Sequence, residues 1–203
     1  MLKKLAILGA GGHGKVVAEI AELTGWQVHF FDDDYLNIKH ISDWPVLGDE
    51  EQLINNIKNF SDVFVAIGDN HIRFEKTIHL RSLGFNVVSL IHPNTTVSKY
   101  ASIGSGSVVM AGAIVNPFVK VGISSIINTA SSIDHDCIIG SGVHICPGAN
   151  LAGEVSVGDL SWIGIGTAVK ECIKIGIDVN VGAGAVVVNA VPDHTRVKGI
   201  PAR

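Results

Sequence analysis

The sequence predicts an α/β domain on a parallel sheet, followed by a triangular parallel β-helix. Three observations carry this: strand and helix patterns alternate as far as His92, an aliphatic residue then recurs every six positions, and a glycine recurs every eighteen.

In the front part, "KLAIL", "GKVVAEIAELTG", "QVHFF", "DEEQLINNIKN" and "DVFVAIG" read in order as strand, helix, strand, helix and strand. "IRFEKTIHLRSLG" and "VVSLI" add a further helix and strand. Such a βαβαβ order implies a parallel sheet covered by helices. Pro93 and Asn94 in "HPNTT" stop the last strand, which divides the chain into residues 1–92 and 93–203.

From Val97, steps of six land on Val, Ile or Leu without a break as far as Val187. Chance would give this on the order of once in ten million trials. Gly104, Gly122, Gly140, Gly158 and Gly176 each follow one of these aliphatics. Eighteen is three sixes, so three short strands complete one turn of a prism, with glycine expected at corners that need unusual dihedrals. Small residues four places past an aliphatic, including Ser107, Ser125, Ser131, Ala149 and Ser161, suit tight inward corners.

The chain is 47% hydrophobic and 17% charged, enough apolar material for a buried core. The longest early apolar run, "LAIL", is broken at Gly9, so no membrane span or signal peptide is read and a cytoplasmic location is expected. Cys137, Cys146 and Cys172 lack metal-ligand spacing, which argues against a structural zinc and for reduced thiols. A net charge of −4 without a basic run argues against nucleic acid and for a small-molecule partner.

"GAGGHG" satisfies G-x-G-x-x-G with Gly9, Gly11 and Gly14 between a strand and a helix, and Asp32 to Asp34 end the next strand. Alone, this Rossmann-like signature predicts a dinucleotide. About ninety residues supply only one mononucleotide-binding half, so one nucleotide fits better. Loop N–H groups and the helix N-terminus would hold a diphosphate, His13 would donate to it, and Asp32 or Asp33 would accept from ribose or base. A ligand-free turn is the plain alternative. In the coils, "INTASSIDHDCIIGSGVHICPGA" places His135 two residues past inward Ile133, at an outward corner where Asp134 or Asp136 would orient its imidazole as a base. Cys137 falls at a small inward position, and Cys146 is read as facing outwards, which leaves an acyl-cysteine as a minor route.

The repeats from Val97 to Arg203 resemble the hexapeptide-repeat acyltransferases, and that resemblance implies a left-handed β-helix. With the front half included, the whole chain resembles the bacterial N-acetyltransferases of nucleotide-linked 4-amino sugars and their sialic acid O-acetyltransferase relatives. The resemblance implies a UDP-sugar held by Gly11, Gly12, His13, Asp32, Asp33, Gly68 and His71. It assigns the base and its partner to His135 and Asp136, with Asp standing where the family carries Glu. It puts Asn128 near the reacting amine, His144 near acetyl-CoA, and the backbone at Ile165 and Ala183 along the pantetheine arm. The tail "GIPAR" would bring Lys198 and Arg203 to the CoA phosphates. It further implies a homotrimer, consistent with Val108 and Ile114 read as outward apolar residues needing cover.

The expected activity is direct acetylation, by acetyl-CoA, of a UDP-linked 4-amino-4,6-dideoxy sugar of the bacillosamine type. GDP-perosamine as acceptor, O-acetylation of a sialic acid and a non-enzymatic platform are the alternatives. An NAD-linked oxidoreductase is the least favoured.

Overall fold

A computed structural model of the chain describes residues 3–60 and 62–203, and it separates into two compact units, Met1–Pro93 and Asn94–Arg203. In the first unit β1 (Lys3–Leu8) is followed by α1 (Gly12–Leu23), β2 (Trp26–Phe31), β3 (His40–Ile41), β4 (Trp44–Gly48), α2 (Glu50–Asn55), β5 (Asp62–Val65), α3 (Asn70–Ser82) and β6 (Asn86–Val87). The sheet order is β3-β4-β2-β1-β5-β6. β1 pairs in parallel with β2 on one side and β5 on the other. The apolar runs make this possible: Leu5, Ala6 and Ile7 are fully buried in the central strand, and Leu8, Phe31, Val63, Val65 and Leu80 share one core.

The sheet is larger than the expected βαβαβ core. "HISDWPVLG" forms β3 and β4, with β3 antiparallel at the edge. Pro45 conceals the strand in the sequence, yet proline is tolerated beside a sheet edge. The second helix stops at Asn55 instead of running to Asn59, and Asp49 starts it with a capping box to Gln52.

The second unit is a left-handed parallel β-helix. Its two-residue strands stack at eighteen-residue spacing: Val108 pairs with Ile126, Ile114 with Ser132, and Lys120 with Ile138. The inward aliphatics Val109, Ile127, Ile145, Ile163 and Val181 form one buried column. Near the end the spacing contracts from eighteen to sixteen, since Ile175 bridges Val191 and Asn180 pairs with Arg196. Pro192 falls inside that contraction.

Two expectations about the corners change. The eighteen-residue glycines do not adopt left-handed dihedrals; their reason is proximity. A Cβ on Gly122 would lie 2.6 Å from the carbonyl carbon of Gly140, and one on Gly104 would lie 2.5 Å from that of Gly122. The left-handed position falls two residues later and recurs every six residues. Gly148 and Gly166 occupy it, but so do Phe118, Ala130, Asp136, Glu154, Leu160 and Cys172. The corner serines also do more than fit. Ser125 Oγ donates to Gly140 O and accepts from Val143 N, which ties successive coils together.

Candidate functional site

In the first unit the chain leaves β1 and β5 at the point where strand order reverses, and the loops after these two strands diverge there. Gly9 sits at φ +107°, and a Cβ there would be 2.9 Å from Ala66 O; one on Gly14 would overlap Gly9 O. These two glycines let the loop close against the sheet. Gly11, Gly12 and Gly68 differ: a Cβ on any of them would meet nothing within 4 Å, so no intramolecular contact demands glycine. Helix α1 has Gly11 at its N-cap, with no side-chain cap and no acidic residue in its first turn. Its N–H groups and dipole therefore suit an anion.

His13 stands in that first turn. Its Nε2 is buried with no hydrogen-bond partner among the described residues, and burial, aided by the charge of Arg73, lowers its pKa to about 4. The ring is neutral near pH 7, so it contributes a hydrogen bond and no cationic attraction. Asp32 is less available than the sequence suggests: Oδ2 accepts from Ala10 N at 2.7 Å and Oδ1 from Asp34 N at 3.0 Å. It clamps the glycine loop to the end of β2. Asp33 is exposed, and it lines a cavity of about 110 Å³ with Leu8, Gly9, Ile67 and Lys76. Gly68 and His71 are exposed at the start of α3. Lys76, ion-paired with Glu50, has no motif in the sequence to reveal it.

In the second unit His135 and Asp136 occupy the corner between strands Ser132–Ile133 and Ile138–Ile139. His135 Nδ1 lies 2.9 Å from Asp136 Oδ2, so the shortened Asp side chain reaches. The left-handed φ of +60° at Asp136 sets its direction at that corner. Asp134 takes a different task, accepting from His135 N and Asn116 Nδ2. The hydrogen bond to Asp136, assisted by the charges of Asp134 and Glu154, raises the His135 pKa. The other side of the ring faces the next coil: a Cβ on Gly153 would be 2.7 Å from Nε2 and Cε1. Gly153 gives the imidazole its space, a role no spacing rule marks.

Asn128 and His144 come together, with Asn128 Nδ2 2.9 Å from His144 Nε2. His144 lies on a strand, 7% exposed, with its ring edge-on to Trp162 at a centroid distance of 4.3 Å. Trp162 is a partner the sequence reading missed, although it sits eighteen residues past His144. One chain does not bring this pair to His135. Asn128 lies at the preceding corner of the prism, and His144 on the face that leads to it, across the Ser132–Ile133 face from the imidazole. Nine residues, half a coil, separate His135 from His144, so the eighteen-residue period contains this result.

Cys137 is fully buried and burial raises its pKa, as its inward position implies. Cys146 is a correction: it is 2% exposed, and burial pushes its thiol up to about 12, which removes it as a nucleophile. Val108 is also corrected, being fully buried, whereas Ile114, Ile138 and Ile165 are at least 40% exposed. Ala183 is exposed near the C-terminal coil, where Asn180, Gly182, Arg196, Lys198 and Arg203 line a cavity of about 260 Å³. No metal-binding cluster occurs among the described residues, and no helix among them is long and apolar enough to cross a membrane.

Residues 4–78 match the family described as the PglD N-terminal domain. Over 114 residues, 54% of this chain, the sequence is 36% identical to UDP-N-acetylbacillosamine N-acetyltransferase of Bacillus subtilis (strain 168); the match spans 52% of that relative. The acetyltransferase domain of PglB from Neisseria gonorrhoeae FA1090, in complex with acetyl coenzyme A, is 42% identical with a TM-score of 0.95, covering 100% of this chain and 99% of that one. PerB from Caulobacter crescentus, in complex with CoA and GDP-perosamine, is 39% identical with a TM-score of 0.95 over 100% of this chain and 97% of its own.

Proposed function

The chain belongs to the hexapeptide-repeat nucleotide-amino-sugar N-acetyltransferases, and on that premise we propose that it acetylates the 4-amino group of a UDP-linked 4-amino-4,6-dideoxy sugar from acetyl-CoA. The observation that carries the reading is the His135–Asp136 pair, 2.9 Å apart at an exposed corner, which engages Nδ1 and leaves Nε2 as the ring nitrogen that can take a proton. The amine nitrogen attacks the thioester carbonyl, His135 Nε2 takes the proton released by that nitrogen, and the C–S bond breaks to free CoA thiolate. Asp136 holds the protonated ring through Nδ1–H. With both cysteines of that region buried, transfer is direct.

The nucleotide is assigned to the first unit: Gly11, Gly12 and Gly68 leave room, the α1 N-terminus and neutral His13 meet the diphosphate, and Asp33 with His71 faces the nucleoside or sugar. Asp32 acts by shaping the loop. Acetyl-CoA is assigned to Asn128, His144, Ile165 and Ala183, with Lys198 and Arg203 for its phosphates; Asn128 also approaches the amine. His135 and the Asn128–His144 pair lie on different parts of the prism, so the reading requires two copies per site. Exposed Ile114 and Ile138 favour a trimer, and a cytoplasmic location follows from the two soluble substrates.

The test is thiol release on mixing the protein with acetyl-CoA and UDP-, GDP- or dTDP-linked 4-amino sugars. Release above background with the UDP sugar supports the proposal, and none with any of them rejects it. A GDP-linked acceptor is the second reading, favoured by the full-length likeness to PerB bound to GDP-perosamine. Titration with UDP and GDP separates the two.

A further inference from the structure

Arg73 is fully buried in α3, and beyond its charge acting on His13 it has been given no role above. Its Nη1 donates to the carbonyls of Ile67 and Gly68, at 3.0 Å each, and its Nη2 donates to Asn70 Oδ1 at 2.8 Å. Burying a guanidinium is costly unless hydrogen bonds compensate. Burial draws its pKa down to about 10 against the opposing charge of Asp69. Packing alone would be served by an apolar residue, so the charge has another use.

That use follows from peptide geometry. In a trans peptide, the carbonyl and the next N–H point in opposite directions. Two successive carbonyls drawn onto one guanidinium turn the N–H groups of Gly68 and Asp69 the other way. Both residues are exposed, and Gly68 leaves open space at its Cβ position. Paired backbone donors of this kind form an acceptor-binding nest. Ile67, immediately before them, lines the cavity that Gly9 and Asp33 share.

We propose that Arg73 is a positioning residue for nucleotide recognition, drawing the Ile67 and Gly68 carbonyls inward so that the Gly68 and Asp69 N–H groups meet an acceptor oxygen of the nucleotide. The acceptor is a base carbonyl or a phosphate oxygen. This inference rests on the nucleotide-sugar reading above.

Calorimetric titration of the full chain with UDP, GDP, dTDP, uridine, inorganic pyrophosphate and acetyl-CoA tests it, using wild type, Arg73→Lys and the milder Asn70→Ala. Lysine keeps the charge but cannot span both carbonyls in the same fork. UDP affinity should fall about 10-fold or more in Arg73→Lys and by less in Asn70→Ala, the scale of a charged hydrogen bond. Acetyl-CoA affinity, and kcat at saturating sugar, should stay within about two-fold. A loss shared by uridine assigns the donors to the base; one shared by pyrophosphate assigns them to phosphate. Wild-type UDP affinity in both variants, or parallel weakening of UDP and acetyl-CoA, overturns the proposal. Wild type that binds no UDP, GDP or dTDP would instead reject the nucleotide reading itself.

Discussion

At the scale of single residues, the imidazole of residue 135 is held between a carboxylate and a glycine, and each neighbour makes a separate prediction. His135→Ala should lower kcat by about 10²-fold or more with UDP affinity retained, the size expected for a lost general base. A base must be neutral to accept a proton, so a raised pKa moves the loss of activity to higher pH as pH falls. Asp136→Asn removes the largest cause of that rise. The acid limb of the kcat–pH profile should move to lower pH while the plateau drops; an unmoved limb would exclude Asp136 as the partner. Gly153→Ala should depress kcat by pushing the ring aside, with binding of both substrates intact. His13 supplies a stability prediction. Its folded pKa lies below 6.5, so the protein loses stability as pH falls from about 6.5 towards 4, where the unfolded chain binds the extra proton. In His13→Gln that part of the acid-side decline in melting temperature should vanish. Spacing located His135 and His13, yet it could not choose between Asp134 and Asp136, because both stand beside the ring and only the left-handed corner decides which carboxylate turns to Nδ1.

At the scale of elements, the coils separate two demands that look alike in a sequence. Gly122 is required by the next coil's backbone, whereas Gly148 is only favoured, by its φ of +65°. Gly122→Ala should cost about 1–3 kcal/mol, as overpacking does, and Gly148→Ala about 1–2 kcal/mol, the left-handed penalty. Chemical denaturation measures both. A further Gly148→Asn should restore part of the second loss, since Asn tolerates that region, whereas Gly122→Asn should restore none. Helix α1 joins stability to function: Gly11→Asp supplies the missing N-cap and should stabilise by about 0.5–1 kcal/mol. The same carboxylate would occupy the place assigned to a diphosphate, so UDP affinity should fall as melting temperature rises. The β3–β4 pair is not legible because Pro45 interrupts the pattern of β4 and the two residues of β3 give no periodic signal.

At the scale of the whole molecule, half a coil of separation means that one chain holds His135 and His144 on different parts of its prism. If two copies build each site, equimolar coexpression of His135→Ala and His144→Ala chains should regain about one site in four in mixed trimers. Neither variant alone should recover activity, and mixtures as inactive as their parents would exclude the shared site. Legible in the residues alone are the strand–helix alternation, the six- and eighteen-residue periods, the glycine loop and the outward place of His135. Each is written in spacing along the chain, which strand pleat and helix pitch translate directly into position. Folding in three dimensions sets the burial of Cys146 and His144, the space Gly153 leaves and the hydrogen bonds of Arg73 to the Ile67 and Gly68 carbonyls. These depend on atoms distant in sequence meeting within a few ångströms, and no local periodicity records them.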